Sequence, residues 1–135
     1  MRKQELDNWI KSGGDLPQNL TEDEKSYLKG LGWEVSEYCW STGQRSCERH
    51  LLHRKKHGKE QGWCPNGRKS YQCYWLHGEK HGMFRTWNVE GGQMAHDECY
   101  HRGKKHGVWR KWDVKGTLTA HKEYAYGILL KDFLK

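Results

Sequence analysis

The sequence predicts a mainly β fold, an elongated antiparallel sheet of about four tandem β-hairpin repeats behind a short helical N-terminal cap. Three observations predict it. The tripeptide Lys-His-Gly recurs at Lys56-His57-Gly58, Lys80-His81-Gly82 and Lys105-His106-Gly107, at spacings of 24 and then 25 residues. Each closing glycine is followed five residues later by a tryptophan, Trp63, Trp87 and Trp112, and nine residues later by a further glycine, Gly67, Gly91 and Gly116. The intervening segments are rich in aromatic and β-branched residues and are punctuated by turn signatures, of which Pro65-Asn66-Gly67 is the strongest.

The elements follow in order. Residues 4–11 place Leu6, Trp9 and Ile10 on one helical face, and Ser12-Gly13-Gly14 stops that helix. Thr21 with Glu24 three residues on forms a capping box for a second helix over 22–31, whose apolar side, Tyr27, Leu28 and Leu31, is expected to cover the first edge of the sheet. In the last full repeat, residues 108–112 read as a strand, 113–116 as a turn and 118–126 as the returning strand. The copy before it gives strands at 83–87 and 94–100 around a turn at 88–92, with an extra residue near Gly91-Gly92. A weaker copy is marked by Gly43, and a partial one by Tyr124, Tyr126 and Gly127. A lone hairpin is marginal in water, so the copies must pair edge to edge, giving about eight strands. The expected organisation is a helical cap at 1–32, repeats at 33–130 and a tail at 131–135. Gly58, Gly82 and Gly107 are expected to bend the chain, and Trp63, Trp87 and Trp112 to stack with their equivalents in neighbouring copies.

Composition agrees with an extended sheet better than with a compact globule. The chain of 135 residues has 34% hydrophobic residues and a mean hydropathy of −1.15, yet it carries eight Trp, seven Tyr and sixteen Gly. Such a chain has large rings and little aliphatic filling. Its aromatic content argues against disorder, and no apolar run is long enough to cross a bilayer. The five cysteines, Cys39, Cys47, Cys64, Cys73 and Cys99, form no Cys-x-x-Cys pair and are odd in number, so they read as reduced thiols in an intracellular, cytoplasmic protein.

The pattern His-Gly-x4-Trp-x3-Gly, followed by Gln72-Cys73-Tyr74 or Glu98-Cys99-Tyr100 and then by the next Lys-His-Gly, resembles MORN repeats, in the longer variant of antitoxin-like proteins. It is also similar to MORN-repeat proteins of Marseillevirus-type large DNA viruses. The resemblance covers residues 33–130 and implies a non-enzymatic scaffold that binds protein partners or acidic lipids. It also implies a virion or an infected cell as one setting.

Charge is concentrated in the repeats. Residues 33–135 hold nineteen Lys or Arg against eleven Asp or Glu, and all nine histidines. Equivalent residues in successive hairpins stand about 10 Å apart, so Lys56, Lys80 and Lys105, doubled by Lys55 and Lys104, are expected to form a cationic rim able to hold nucleic acid or an acidic membrane surface. The same spacing keeps His57, His81 and His106 from sharing one metal ion, and no metal or other cofactor is expected. Each of these histidines is expected to pack on a neighbouring turn. Trp75, Trp87, Trp109 and Arg110 are the anchors expected on a protein-binding sheet face. No nucleophile elbow, phosphate loop or His-Glu-x-x-His pattern is present, so the expectation is a binding module, not an enzyme, with no small-molecule substrate.

Overall fold

The computed structural model describes all residues from Met1 to Lys135. Two helices, α1 (Lys3–Ser12) and α2 (Glu22–Gly30), precede ten strands. These are β1 (Trp33–Cys39), β2 (Arg45–Leu52), β3 (Lys55–Trp63), β4 (Lys69–Leu76), β5 (Glu79–Trp87), β6 (Met94–His101), β7 (Lys104–Lys105), β8 (Gly107–Trp112), β9 (Leu118–Ala125) and β10 (Ile128–Asp132). All pair antiparallel in chain order within one sheet, with β7 and β8 both lying against β6. The count exceeds the expected eight for two reasons. His106 divides one strand into β7 and β8, and the expected tail begins inside β10.

Two kinds of turn close the hairpins. At one end Gly43, Gly67, Gly92 and Gly116 take φ between +75° and +89°. Each donates its N–H back to the start of its turn, at Trp40, Cys64, Asn88 and Asp113. The third turn is bridged from Asn88 to Gln93, whereas its neighbours are bridged from Cys64 to Arg68 and from Asp113 to Thr117. The extra residue therefore sits in that turn, and Gly92, not Gly91, is the structural equivalent of Gly67 and Gly116. At the other end, two-residue turns with both φ positive are made by His53-Arg54, His77-Gly78, Arg102-Gly103 and Tyr126-Gly127. Consecutive positive φ values match the right-handed twist of flanking strands.

Gly58, Gly82 and Gly107 do not close hairpins. They lie in strands, with φ of +81°, +95° and +90°, and at the first two the register skips: β3 bulges opposite β2, and β5 opposite β4. The bend expected at these glycines is a β-bulge.

Only 15 of 135 residues are buried, because most of the sheet is a single layer. The core lies where the helices meet the sheet: Leu6, Trp9, Leu28, Trp33 and Leu52, with Ile10, Leu16, Leu20 and Tyr27 packed against it. The capping box of α2 forms as expected, and its Glu24 carboxylate also binds the Arg2 guanidinium at 2.8 Å and the Arg2 N–H at 3.0 Å. The Arg2 hydrogen bond, followed by the backbone bonds, holds the Glu24 carboxyl well below its usual range. The helices lie on a face rather than across the first edge. Trp9 fills the space above Gly58, Gly13 abuts the Trp75 carbonyl, and Asp15 binds the Tyr74 hydroxyl at 2.8 Å and the Lys59 ammonium at 3.3 Å, so the packing extends to β4. Leu31 is 37% exposed, and Val35 and Tyr38 on the edge strand β1 are exposed. The opposite edge, β10, exposes Ile128, Leu129 and Leu130.

Candidate functional site: a row of lysines and rings on the open face

Strand alternation and register divide the sheet residues between a helix-bearing face and an open face. On the open face the register pairs Trp75 with Lys80 and Tyr100 with Lys105, while Gly58, Gly82 and Gly107 stand opposite Trp75, Tyr100 and Tyr124. The result is a row across the strands: Lys56, Trp75, Lys80, Tyr100, Lys105, Tyr124. A Cβ at these glycines would point to the helix-bearing side, toward Trp9, Tyr74 and Cys99. The lysine ammonium groups lie on those rings, Lys56 at 4.6 Å from the Trp75 centroid, Lys80 at 4.9 and 5.0 Å from Phe84 and Tyr100, and Lys105 at 4.9 and 5.1 Å from Trp109 and Tyr124.

The lysine ladder thus exists, but as part of a face rather than as a loop rim. Lys55 and Lys104 do not double it. They alternate to the helix-bearing side, and Glu79 occupies the corresponding position between them. The expected protein anchors are divided in the same way. Trp75 and Trp109 belong to the open face, whereas Arg110 lies on the other, beside Asp97, which also pairs with Arg85 at 3.1 Å. Trp87, two residues after Arg85, shares that side. Trp63, Trp87 and Trp112 do not stack on one another, because a strand intervenes between successive copies. Their register partners are Lys69, Met94 and Leu118, and Trp63 instead carries the Arg45 guanidinium at 5.2 Å.

The histidines dock on turns as expected, through a repeated hydrogen bond. Nδ1 of His57, His81 and His106 accepts the backbone N–H of His77, Arg102 and Tyr126 at 3.0, 3.1 and 3.2 Å. The carbonyls of Lys56, Lys80 and Lys105 accept the next N–H, from Gly78, Gly103 and Gly127. The lysine carbonyl and the ring of the histidine after it therefore satisfy both amides of the following turn. In the first copy the Gly32 carbonyl takes this part, accepting from His53. His57 is fully buried, and its Nε2 donates to the Trp9 carbonyl at 2.8 Å. Burial lowers the His57 and His81 pKa values.

At the first rung the row contains a residue that the repeat pattern does not mark. Glu60 is 5% exposed, and its carboxylate accepts from the Tyr71 hydroxyl at 2.8 Å and the Trp75 indole at 2.9 Å, with Lys56 at 3.2 Å and Arg49 at 3.6 Å. Desolvation opposes its charge, yet Tyr71, Lys56 and Arg49 together bring its pKa below the usual carboxylate value. Equivalent positions hold Phe84 and Trp109, so recurrence cannot reveal Glu60. The cysteines form no disulfide, and burial pushes the Cys73 thiol up to about 11. No helix is long and apolar enough to cross a membrane.

A scan against protein-family models finds no match to the chain, and a search of curated proteins finds none either.

Proposed function

We propose that this protein is a non-enzymatic binding module of the MORN-repeat type, which engages a protein partner through the open face of its hairpin sheet. The observation that carries this reading is the Lys–ring row. Large aromatic side chains and amines are held in fixed positions on a face with no second layer over it, and such residues dominate binding hot spots. Rings pre-ordered by cation–π contacts lose little further freedom on binding. Trp75, Tyr100 and Tyr124 are the anchors of this reading, and Trp109, 8% exposed, packs beneath them. An antitoxin-like inhibitor or a structural part of a virion would both use such a face.

The test is affinity capture from native extract with wild type and with a Trp75→Ser, Tyr100→Ser double variant, nuclease being added throughout. A partner retained by wild type and absent with the variant, at unchanged circular dichroism, is the expected result. Equal capture by both removes the open face from consideration.

The row also supports a second reading, a polyanion binder. Its ammonium groups recur at the spacing of alternate strands and, beyond Lys56, have no acidic partner within ion-pair distance. Salt dependence separates the two readings, because binding to phosphates weakens steeply with ionic strength.

A further inference from the structure

The last repeat departs from the others on the open face. Four residues after the bulge glycine stand Gly62, Thr86 and, in the last copy, Lys111. On the following strand, paired with Glu60, Phe84 and Trp109, stand Cys73, Glu98 and Lys122. Two lysines thus appear only where β8 meets β9, and they join the ladder residue Lys105. These three, with Trp109, Ala120 and Tyr124, line a cleft of about 110 Å³. None of the three lysines makes an ion pair. Glu98, on the adjoining strand β6, makes no ion pair with them and accepts from the Tyr100 hydroxyl at 3.3 Å.

We propose that this cleft is a seat for a phosphomonoester group, presented by the protein partner as phosphoserine or phosphothreonine. Three lysines that line one cleft and make no ion pair match a dianion better than a single carboxylate, and a phosphorylated side chain carries close to two negative charges at neutral pH. The cleft is large enough for one tetrahedral oxyanion, which would lie against the lysines beside the contacting Trp109 and Tyr124 rings. Beside it, Leu129 pairs in register with Tyr124, lies on the same face and is 49% exposed. An apolar residue neighbouring the phosphorylated one would rest there. The proposal depends on the protein-partner reading and names the chemistry of that partner.

Fluorescence anisotropy of the full chain against a labelled peptide with phosphoserine next to leucine tests it. The unphosphorylated peptide and phosphatidylcholine vesicles with or without phosphatidic acid serve as the other probes. The phosphopeptide is expected to bind at least about tenfold more tightly than its unphosphorylated twin, and a Lys111→Gln, Lys122→Gln variant is expected to lose that difference. A Lys55→Gln, Lys104→Gln variant, which removes the same charge elsewhere, is expected to keep it. Equal loss in both variants, no preference for the phosphopeptide, or binding only to vesicles with phosphatidic acid overturns the proposal. Thermal melts confirm that both variants are folded. Should the variant at 111 and 122 still capture the native partner with full affinity, the phosphate seat falls while the scaffold reading stands.

Discussion

Nδ1 of His57 accepts the backbone N–H of His77 at 3.0 Å, so a side chain in one hairpin satisfies the turn of the next. With Nε2 donating to the Trp9 carbonyl, the ring is held as one neutral tautomer. An imidazolium has no lone pair for the turn amide and cannot keep both bonds.

Acid should therefore loosen the array before carboxylates titrate. The folded pKa values of His57 and His81 lie below the unfolded value, so the unfolded chain binds more protons as pH falls. Their contribution is fully present above about pH 6.5 and is lost as pH falls through the lowered folded values. The melting temperature is expected to drop between about pH 7 and pH 5, and less so in a His57→Gln, His81→Gln variant that is weaker at neutral pH. Parallel pH profiles of the two proteins would refute the assignment.

The bulge glycines should differ in tolerance. Gly82→Val is expected to cost at least ~1 kcal/mol, since φ of +95° strains any β-branched residue. Gly58→Ala should cost more, about 2–4 kcal/mol, because its Cβ would lie 2.5 Å from Trp9 Nε1 and would push α1 off the sheet. Urea unfolding of the two variants gives the order directly.

Neutralising Lys56, Lys80 and Lys105 together tests whether their placement on the rings matters. Exposed lysines contribute little, but cation–π interactions are worth about 0.5–1 kcal/mol each, so the triple glutamine variant should fold with stability reduced by about 1–3 kcal/mol. If polyanion binding is real, its salt slope should also shrink by about one unit for each phosphate that the variant no longer neutralises. Wild type that fails to bind single-stranded or duplex nucleic acid and acidic vesicles at low salt ends the polyanion reading.

Glu60→Leu should remove the shared acceptor of Tyr71 and Trp75 and leave Lys56 and Arg49 without it. The expected loss is about 1–3 kcal/mol, measured by denaturant titration. An accompanying blue shift of the tryptophan emission maximum is not expected, because Trp75 would become less firmly held at the surface.

The hairpin array is legible in the chain itself. A tripeptide, a tryptophan and a glycine in constant phase require a repeated unit, and alternation of rings with polar residues requires strands that pair with their neighbours in the chain. The capping box at Thr21 and Glu24 was equally legible, because it is a local rule of spacing. Which residues share a surface emerged only from the folded sheet. A bulge at Gly58 or Gly82 and an extra residue at Gly91-Gly92 change register and turn length, so which lysines and rings meet across the strands depends on the folded sheet, whereas the opposed directions of Lys55 and Lys56, and of Trp109 and Arg110, follow from strand alternation alone. The lysines at 111 and 122 stayed hidden for a related reason. Recurrence reveals what a repeat keeps, whereas a cleft built from departures appears only when β8 is laid against β9.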